Sequence, residues 1–561
     1  MNRLSIFLLL FLSVLAPLRG EERIRERVYL STDRDVYVAG DAVWMSAWCL
    51  DAASGRLSSF SKIAYVEVHS PTGMVQTAKI ALEDGRGGGR LFLPNTLPTG
   101  NYRLLAYTKL GASETGFDPL TGARTISVVN TFSTDRVEDG VLVVDRAPAT
   151  PTFHAAGDLQ IGTAEAGRSG TARIRLSNPG REAVNFSLSV RHDDGIPAPD
   201  GSRIPDFLDA VRQLPAAGTF SGEVIPEYEG EIIRARVSGT DEAGRRKTLE
   251  KYAFISSPGT GENLYTESIR EDGSVIFFTT NIYGEQNMFL EIEDVDRDNV
   301  CHLEIVSPFL DLPAGDIPPL QLHAGYAGAL ELRNLSMQLE RSFDADTLYA
   351  AIPLRRHAVL DEHDLTYYIL DDYTRFPVME ELFIEFIPEL RVRRVQGKRE
   401  IQIKTDDELQ GYSFSSGTAL VLLDGIPVVD HEKILSYDPL LVREIDIYQS
   451  TYAFGQRTFS GIVNFVTYKG TLPSMQFEDN VRIVDFQGCS LPVAYTCEGV
   501  GRRYPDYRQT IYWHPTLTIA PGETIRLECK TPAYSGRFEV VAEGLDEAGK
   551  AVSARATLNV R

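Results

Sequence analysis

From Arg27 onward the chain alternates apolar and polar residues in short runs, and each run stops at Gly, Pro, Asp or Asn. A period of two places successive side chains on opposite faces of an extended strand, and the stop residues are those that tight turns require. Val43 to Trp48, Ile63 to Val68, Val75 to Ala81, Arg90 to Leu93 and Tyr102 to Tyr107 read as strands. Ser70-Pro71-Thr72-Gly73 and Pro98-Thr99-Gly100-Asn101 read as the turns between them. Helical spacing is nearly absent before residue 320. Strands that each bury one face pack as sandwiches, and 561 residues at roughly 150 per domain imply four or five domains.

The expected boundaries track the composition. Residues 21–135 form a first sandwich, 145–228 a second with strands Ala172 to Leu176 and Phe186 to Val190, and 229–312 a third with Ile232 to Val237, Val275 to Thr279 and Met288 to Ile292. Residues 313–375 read as a partly helical connector, because Leu332, Leu335, Leu339 and Phe343 fall at helical spacing. Over 376–472 a helix opens at Pro377, with Met379, Leu382, Phe383, Phe386 and Ile387 on one face, and ends at Pro388. The strands after it, among them Ala419 to Leu423, Val442 to Tyr448 and Gly461 to Thr467, make this a small α/β domain. That helix face is expected on Val421, Leu423, Ile445, Ile447, Ile462 and Val466, with a turn at Asp424-Gly425. Residues 478–561 read as a C-terminal sandwich. Gly239-Thr240-Asp241-Glu242-Ala243-Gly244 recurs as Gly544-Leu545-Asp546-Glu547-Ala548-Gly549, which suggests matching hairpins. Gly87-Gly88-Gly89 reads as a flexible turn.

Residues 1–20 have the form of a secretory signal peptide: Asn2 and Arg3, an apolar run from Leu4 to Leu15, then Ala16 to Gly20. The run is shorter than the roughly 18–20 residues a bilayer span needs, so cleavage after Gly20 and a mature chain without a transmembrane segment are expected. The formal net charge is −22, and becomes −24 when Arg3 and Arg19 leave with the signal. That balance repels phosphate backbones and argues against nucleic acid as a partner. The five cysteines, Cys49, Cys301, Cys489, Cys497 and Cys529, are too scattered for a disulfide framework. Cys489 and Cys497 are close enough in sequence for one bridge.

Two stretches carry resemblances. Tyr29-Leu30-Ser31-Thr32-Asp33-Arg34-Asp35-Val36-Tyr37-Val38-Ala39-Gly40-Asp41-Ala42-Val43, then Val66 to Gly73, then Leu97-Pro98-Thr99-Gly100-Asn101-Tyr102-Arg103-Leu104 resemble the second macroglobulin-type domain of the alpha-2-macroglobulin family. Ala419 to Val428, Asp438-Pro439 with Val442 to Ile447, Tyr452-Ala453-Phe454-Gly455 and Gly461 to Thr467 resemble the plug domain of TonB-dependent outer-membrane receptors. A receptor plug sits in a barrel of about 22 strands, which needs over 200 residues for strands alone. Only 91 residues come after Gly470 in the 561. The fold class these resemblances imply is mainly β: tandem macroglobulin- or immunoglobulin-like β-sandwiches with one small α/β, plug-like domain, in an exported protein of a Gram-negative bacterium.

Motifs for chemistry fail one by one. Macroglobulins that trap proteases covalently carry a thioester between a Cys and a Gln three residues on, but the residues at that offset here are Ala52, Glu304, Pro492, Val500 and Pro532. Asp294-Val295-Asp296-Arg297-Asp298-Asn299 opens like a calcium loop, yet Asn299 stands where Gly is needed and Ile305 where a bidentate Glu belongs. His357 and His363, with Asp361, Glu362 and Asp364, match no zinc spacing. No Gly-x-Ser-x-Gly elbow, His-Glu-x-x-His or phosphate-binding Gly-rich loop occurs. Tyr504, Tyr507, Tyr512 and Trp513, among Arg502, Arg503 and Arg508, form a candidate aromatic platform for a ligand, set against a packed entry to the last sandwich. The expectation is a non-catalytic binding or scaffold protein of the periplasm or outer membrane. It would have no cofactor and no metal, its partner would be another envelope protein, and it would be accessory to an outer-membrane uptake system. The alternatives are a thioester-less macroglobulin-like protease binder and a hydrolase with a dispersed site.

Overall fold

The structure is a computed structural model that describes residues 24–561 except 150, 200–202, 216–217, 221–224, 250, 260, 262, 281, 294–300, 344–348, 354–359, 361, 396, 408–410, 415–416, 479 and 496–504. The chain is mainly β and folds as many small sheets. It forms two compact units, both discontinuous in sequence. One gathers the chain up to Tyr228 with Asp311–Ile352 and Leu491–Arg561, and the other Glu229–Leu310 with Pro353–Ser490.

In the first unit, strands Glu26–Thr32, Ala42–Asp51, Arg56–Leu57 and Arg86–Phe92 form one sheet of a sandwich. Val36–Val38, Arg124–Val129, Gly100–Tyr107, Ile63–Ser70 and Gly73–Ala81 form the other. Alternation explains the core: Val43, Met45, Ala47 and Cys49 meet Val28, Leu30, Val66 and Leu104 between the sheets. The intervening Trp44 and Trp48 are buried as well, Trp44 beside Trp513 and Trp48 beside Phe207 and Leu545. The strand Ala42–Asp51 is therefore buried on both faces. Gly87-Gly88-Gly89 is not a turn but the middle of a strand, paired with Ala47, Ser46 and Met45. A Cβ on Gly88 would lie 2.5 Å from Cβ of Pro515, so glycine is needed for close approach to the neighbouring sandwich.

That neighbour merges two expected domains. Thr171–Ser177 lies between Gln160–Thr163 and Thr524–Lys530, while Val184–His192 lies between Thr510–Ile519 and Gly536–Asp546, with Ala551–Val560 at the edge. The sandwich expected at 145–228 and the part of 478–561 from Thr510 onward are thus one, with a shared core of Ile174, Phe186, Leu188, Ile511, Phe538 and Val540, while Arg482–Gln487 joins a sheet of the second unit. The physical reason is edge satisfaction. Three strands cannot close two sheets, and the C-terminal four supply the missing backbone partners. The helix Ile204–Arg212 is also new relative to the sequence expectation, with Ile204, Phe207, Leu208 and Val211 buried at helical spacing. The expected connector helix exists as Ala327–Ser342, but its buried side chains are Arg333, Ser336 and Met337, while Leu335 and Phe343 are exposed.

The second unit holds a sandwich and the α/β domain. Leu264–Ser268, Tyr252–Ser256, Glu285–Ile292 and Arg482–Gln487 face Ser274–Phe278, Ile232–Ser238 and His302–Ile305. Glu242–Arg246 is a short helix capped by the Asp241 carboxylate on the Gly244 N–H (2.8 Å), whereas 544–549 is a hairpin turn, so the repeated sequence has two structures. The residues just C-terminal to each copy set the difference: Arg245-Arg246-Lys247 extends a helix, and Ala551-Val552 starts a strand.

In the α/β domain the helix Met379–Phe386 covers a sheet in the order Leu365–Ile369, Val442–Phe454, Arg457–Thr467, Leu420–Leu423, Ile426–Pro427. Met379, Leu382, Phe383 and Ile387 are buried with Val421, Leu423, Ile445 and Ile447, and Phe386 is half-buried. The last strand is shifted by one residue from expectation: Val463 and Phe465 face the helix, and Ile462 faces the opposite side with Leu420 and Leu422. Parallel register with Leu420–Leu423 sets that parity.

Candidate functional site: a charged cavity where two sandwiches meet

The run Asp33-Arg34-Asp35 ends the first strand of the first sandwich and faces the second sandwich of the same unit. Asp33 is fully buried. Its Oδ1 accepts from the Tyr37 hydroxyl (2.8 Å) and the Trp44 N–H (3.1 Å), and its Oδ2 accepts from Arg34 Nε (3.1 Å) and the Thr510 hydroxyl (2.7 Å). The Asp33 carbonyl accepts from Ser189 (2.8 Å) and Arg191 Nη1 (3.3 Å). Gly40, at φ +92°, turns the chain so that Asp41 can accept the Val38 N–H (2.9 Å) and pair with Arg34 (3.4 Å).

Asp35 sits among Arg124 (2.6 Å), Arg191 (3.2 Å) and Arg203 (3.6 Å). Burial raises its pKa, but Arg203, Arg124 and Arg191 together outweigh that and hold the carboxyl well below the usual carboxylate range. Glu543 pairs with Arg124 and Arg203 at 3.6 Å each, and Glu539 with Arg555 (3.0 Å) and Arg191 (3.7 Å). The Tyr29 hydroxyl donates to Glu543 (3.3 Å) and is pushed well above its ordinary range by burial and by that carboxylate. From the helix Ala327–Ser342, Arg333 reaches in to Asp194 (2.6 Å) and the Val36 carbonyl (2.6 Å). This polar contact is why that helix presents Arg333 inward, with Leu335 exposed and Leu332 and Leu339 only half-buried.

Over this network lies a partly open cavity of about 80 Å³, lined among others by Arg191, Arg203, Arg333, Arg555, His192 and Asp194. Burial holds His192 below its ordinary pKa, which favours the neutral imidazole. The carboxylates are bound to guanidiniums. Chemically the arrangement orients the two sandwiches and offers positive charge to solvent.

The residues singled out in sequence fall elsewhere. Tyr512 lies in the core of the second sandwich and Trp513 packs on Trp44, because strand alternation sends both rings inward. Tyr507 is half-buried and stacked on Tyr534 at 6.1 Å, and Tyr504 lies outside the described residues. The three described rings, Tyr507, Tyr512 and Trp513, therefore do not assemble as one surface platform. Arg508, buried, is bound by both oxygens of Asp506 at 2.9 Å. Cys489 is buried, and Cys497, its expected partner, lies outside the described residues, as do the Asp294–Asn299 stretch, His357 and residues 1–20. Asp364, beside His363, accepts from the Ser450 N–H and the Tyr452 hydroxyl, both at 2.8 Å. Among the described residues no group of three or more His, Cys, Asp or Glu could hold a metal, and no helix is long and apolar enough to cross a membrane. The signal for the charged cavity was present in sequence as arginines and glutamates inside otherwise apolar strands, at Arg124, Arg191, Glu543 and Arg555.

No protein-family model and no curated protein matches the chain. Among solved structures, trypsin-activated alpha-2-macroglobulin from Escherichia coli aligns at 9% identity over 96% of this chain and 42% of that one, with a TM-score of 0.24. Salmonella alpha-2-macroglobulin reacted with methylamine gives 9%, 96%, 39% and 0.24. A tetra-tandem repeat from the extending region of a large adhesion protein gives 9%, 96%, 99% and 0.12. The chain spans less than half the length of these macroglobulins, and TM-scores this low carry no inference about fold or function.

Proposed function

We propose that this chain is a non-catalytic binding or scaffold protein of the bacterial envelope, exported by its N-terminal segment, in which tandem sandwiches hold recognition surfaces for another envelope protein. The observation that carries the reading is the use of the buried charges. Asp35 of the first sandwich is engaged by Arg191 of the second, Glu543 of the second by Arg124 of the first, and Arg203 stands near both carboxylates, so these charges fix the two sandwiches to each other. The domain over 376–472 is the plug-like module of this reading. Its helix packed on a mixed sheet and its turn at Asp424-Gly425 support the assignment, as the sequence resemblance does. It acts as an adaptor to an uptake system and carries no transport itself.

The test uses the mature chain. It should turn over no ester, glycoside or peptide substrate, form no channels in a planar bilayer, and crosslink in intact cells to one envelope protein. Turnover that persists through repeated purification overturns the reading. A stable complex with added proteases replaces it with protease binding.

A further inference from the structure

The charges around the cavity do not balance. The lining carries five guanidiniums, Arg34, Arg191, Arg203, Arg333 and Arg555, against four carboxylates, Asp35, Asp193, Asp194 and Glu539, in a chain whose overall charge is −22. The hydrogen bonds do not balance either. Arg555 uses Nη1 on Glu539 and lies over the Phe153 ring at 4.5 Å, and its Nε, shielded from solvent, has no acceptor among the described residues. Arg124, 2% exposed, leaves Nε and Nη1 without hydrogen-bond acceptors among the described residues. Arg203 approaches Asp35 and Glu543 only at 3.6 Å, beyond hydrogen-bond reach. A buried donor left unpaired is costly, and a charged one more so. An incoming acceptor oxygen would be bound with little competing desolvation of the protein.

We propose that this cavity binds a small oxyanion of the carboxylate or phosphate class, held by the guanidiniums of Arg203 and Arg555 with Arg191 behind them. The planar fork of arginine matches two oxygens of either group, and about 80 Å³ has room for one such ion or a few waters. The site goes beyond the scaffold reading and stands whether or not that reading does.

Titration calorimetry on the full mature chain tests it, with sodium phosphate, sulfate and acetate added in turn at constant ionic strength against chloride. At least one should bind saturably at one site per chain. Response to phosphate and sulfate alone names an inorganic tetrahedral ligand, and response to acetate names a carboxylate. The Arg203→Gln/Arg555→Gln variant should lose at least about tenfold in affinity, the value of one charge-assisted hydrogen bond. Arg555→Lys, which keeps the charge without Nε, should lose part of it. Arg173→Gln, in an exposed pair with Glu528 on the same sandwich, should bind as the wild type does. Where a variant fails to fold, hydrogen exchange on the wild type decides: the anion should protect 190–194 and the strand Ala551–Val560. Absence of saturable binding by every anion, affinity unchanged in the double variant, or protection confined to other segments overturns the proposal.

Discussion

Replacing Asp35 by asparagine keeps the shape and one acceptor oxygen but removes the charge that three guanidiniums share. Asp35 is 7% exposed, and its contacts to Arg124 and Arg191 are 2.6 and 3.2 Å. A unit pair at about 4 Å is worth roughly 4 kcal/mol at an effective dielectric of about 20, before desolvation. Breaking a buried ion pair by removing one partner costs about 3–5 kcal/mol, because the other charge stays buried. Asp35→Asn should therefore destabilise the first unit by about 3 kcal/mol or more at pH 7. Tryptophan fluorescence during urea unfolding reads this unit alone, since the three tryptophans, Trp44, Trp48 and Trp513, all belong to it. The pH dependence has a definite sign. The folded pKa is depressed, so the stabilisation is complete above the unfolded value of about 3.9 and is lost as pH falls below it. The gap between wild type and variant should close in acid. A cost under about 1 kcal/mol at pH 7, or a gap indifferent to pH, would refute the claim that these charges organise the joint.

Gly88→Ala should cost about 1–3 kcal/mol in the same assay, through overlap with Pro515; a neutral result would mean that the sandwiches separate easily. Asp424→Ala removes the acceptor of the Thr467 N–H and hydroxyl (both 2.7 Å) and of the Leu472 N–H (2.8 Å), and should cost about 2–3 kcal/mol, read as faster hydrogen exchange over 424–472. Burial, opposed by Lys433 and aided by Glu293 and Glu478, pushes the Glu291 carboxyl up to about 8. The folded form holds this proton, so the second unit should lose stability as pH rises from about 4 to 8, and Glu291→Gln should flatten the melting profile over that range. Deleting Leu491–Arg561 should expose 160–192 to proteolysis, because four strands of their sandwich go with it; a resistant fragment there would contradict the merged domain.

Local features were legible because they depend on neighbours in sequence. Alternation located most strands, the spacing from Met379 to Ile387 located a helix and its buried face, and Asp-Gly located a turn in which Asp424 and Gly425 both take positive φ, 48° and 82°. What failed depends on partners far away. Ile462, Val463 and Phe465 are all apolar, so no local pattern says which parity meets the helix, and pairing with Leu420–Leu423 decides it. In Ala327–Ser342 the leucines marked the helix correctly and its docking face wrongly, since the surface it meets is a carbonyl and a carboxylate that Arg333 satisfies. Tyr512 and Trp513 looked like a platform because arginines flank them, whereas a strand buried on both faces sends each ring into a different core.

The same remoteness explains the cavity. Its organising motif, Asp33 to Asp41, is complete within the first strands, yet the hydroxyl on Asp33 comes from Thr510, 477 residues away, and Tyr29 donates to Glu543 across 514 residues. Glu539, Glu543 and Arg555 belong to the last two strands of the chain. Until those strands arrive, Arg124 and Arg191 have only Asp35, and Val184–His192 has neither neighbour in its sheet. Closure costs little extra entropy for so long a loop, because the cost grows only with the logarithm of its length. Glu539, Glu543 and Arg555 therefore join the network only with the strands that complete the second core. Pairing at that stage selects one relative placement of two sandwiches whose apolar contacts alone would tolerate several.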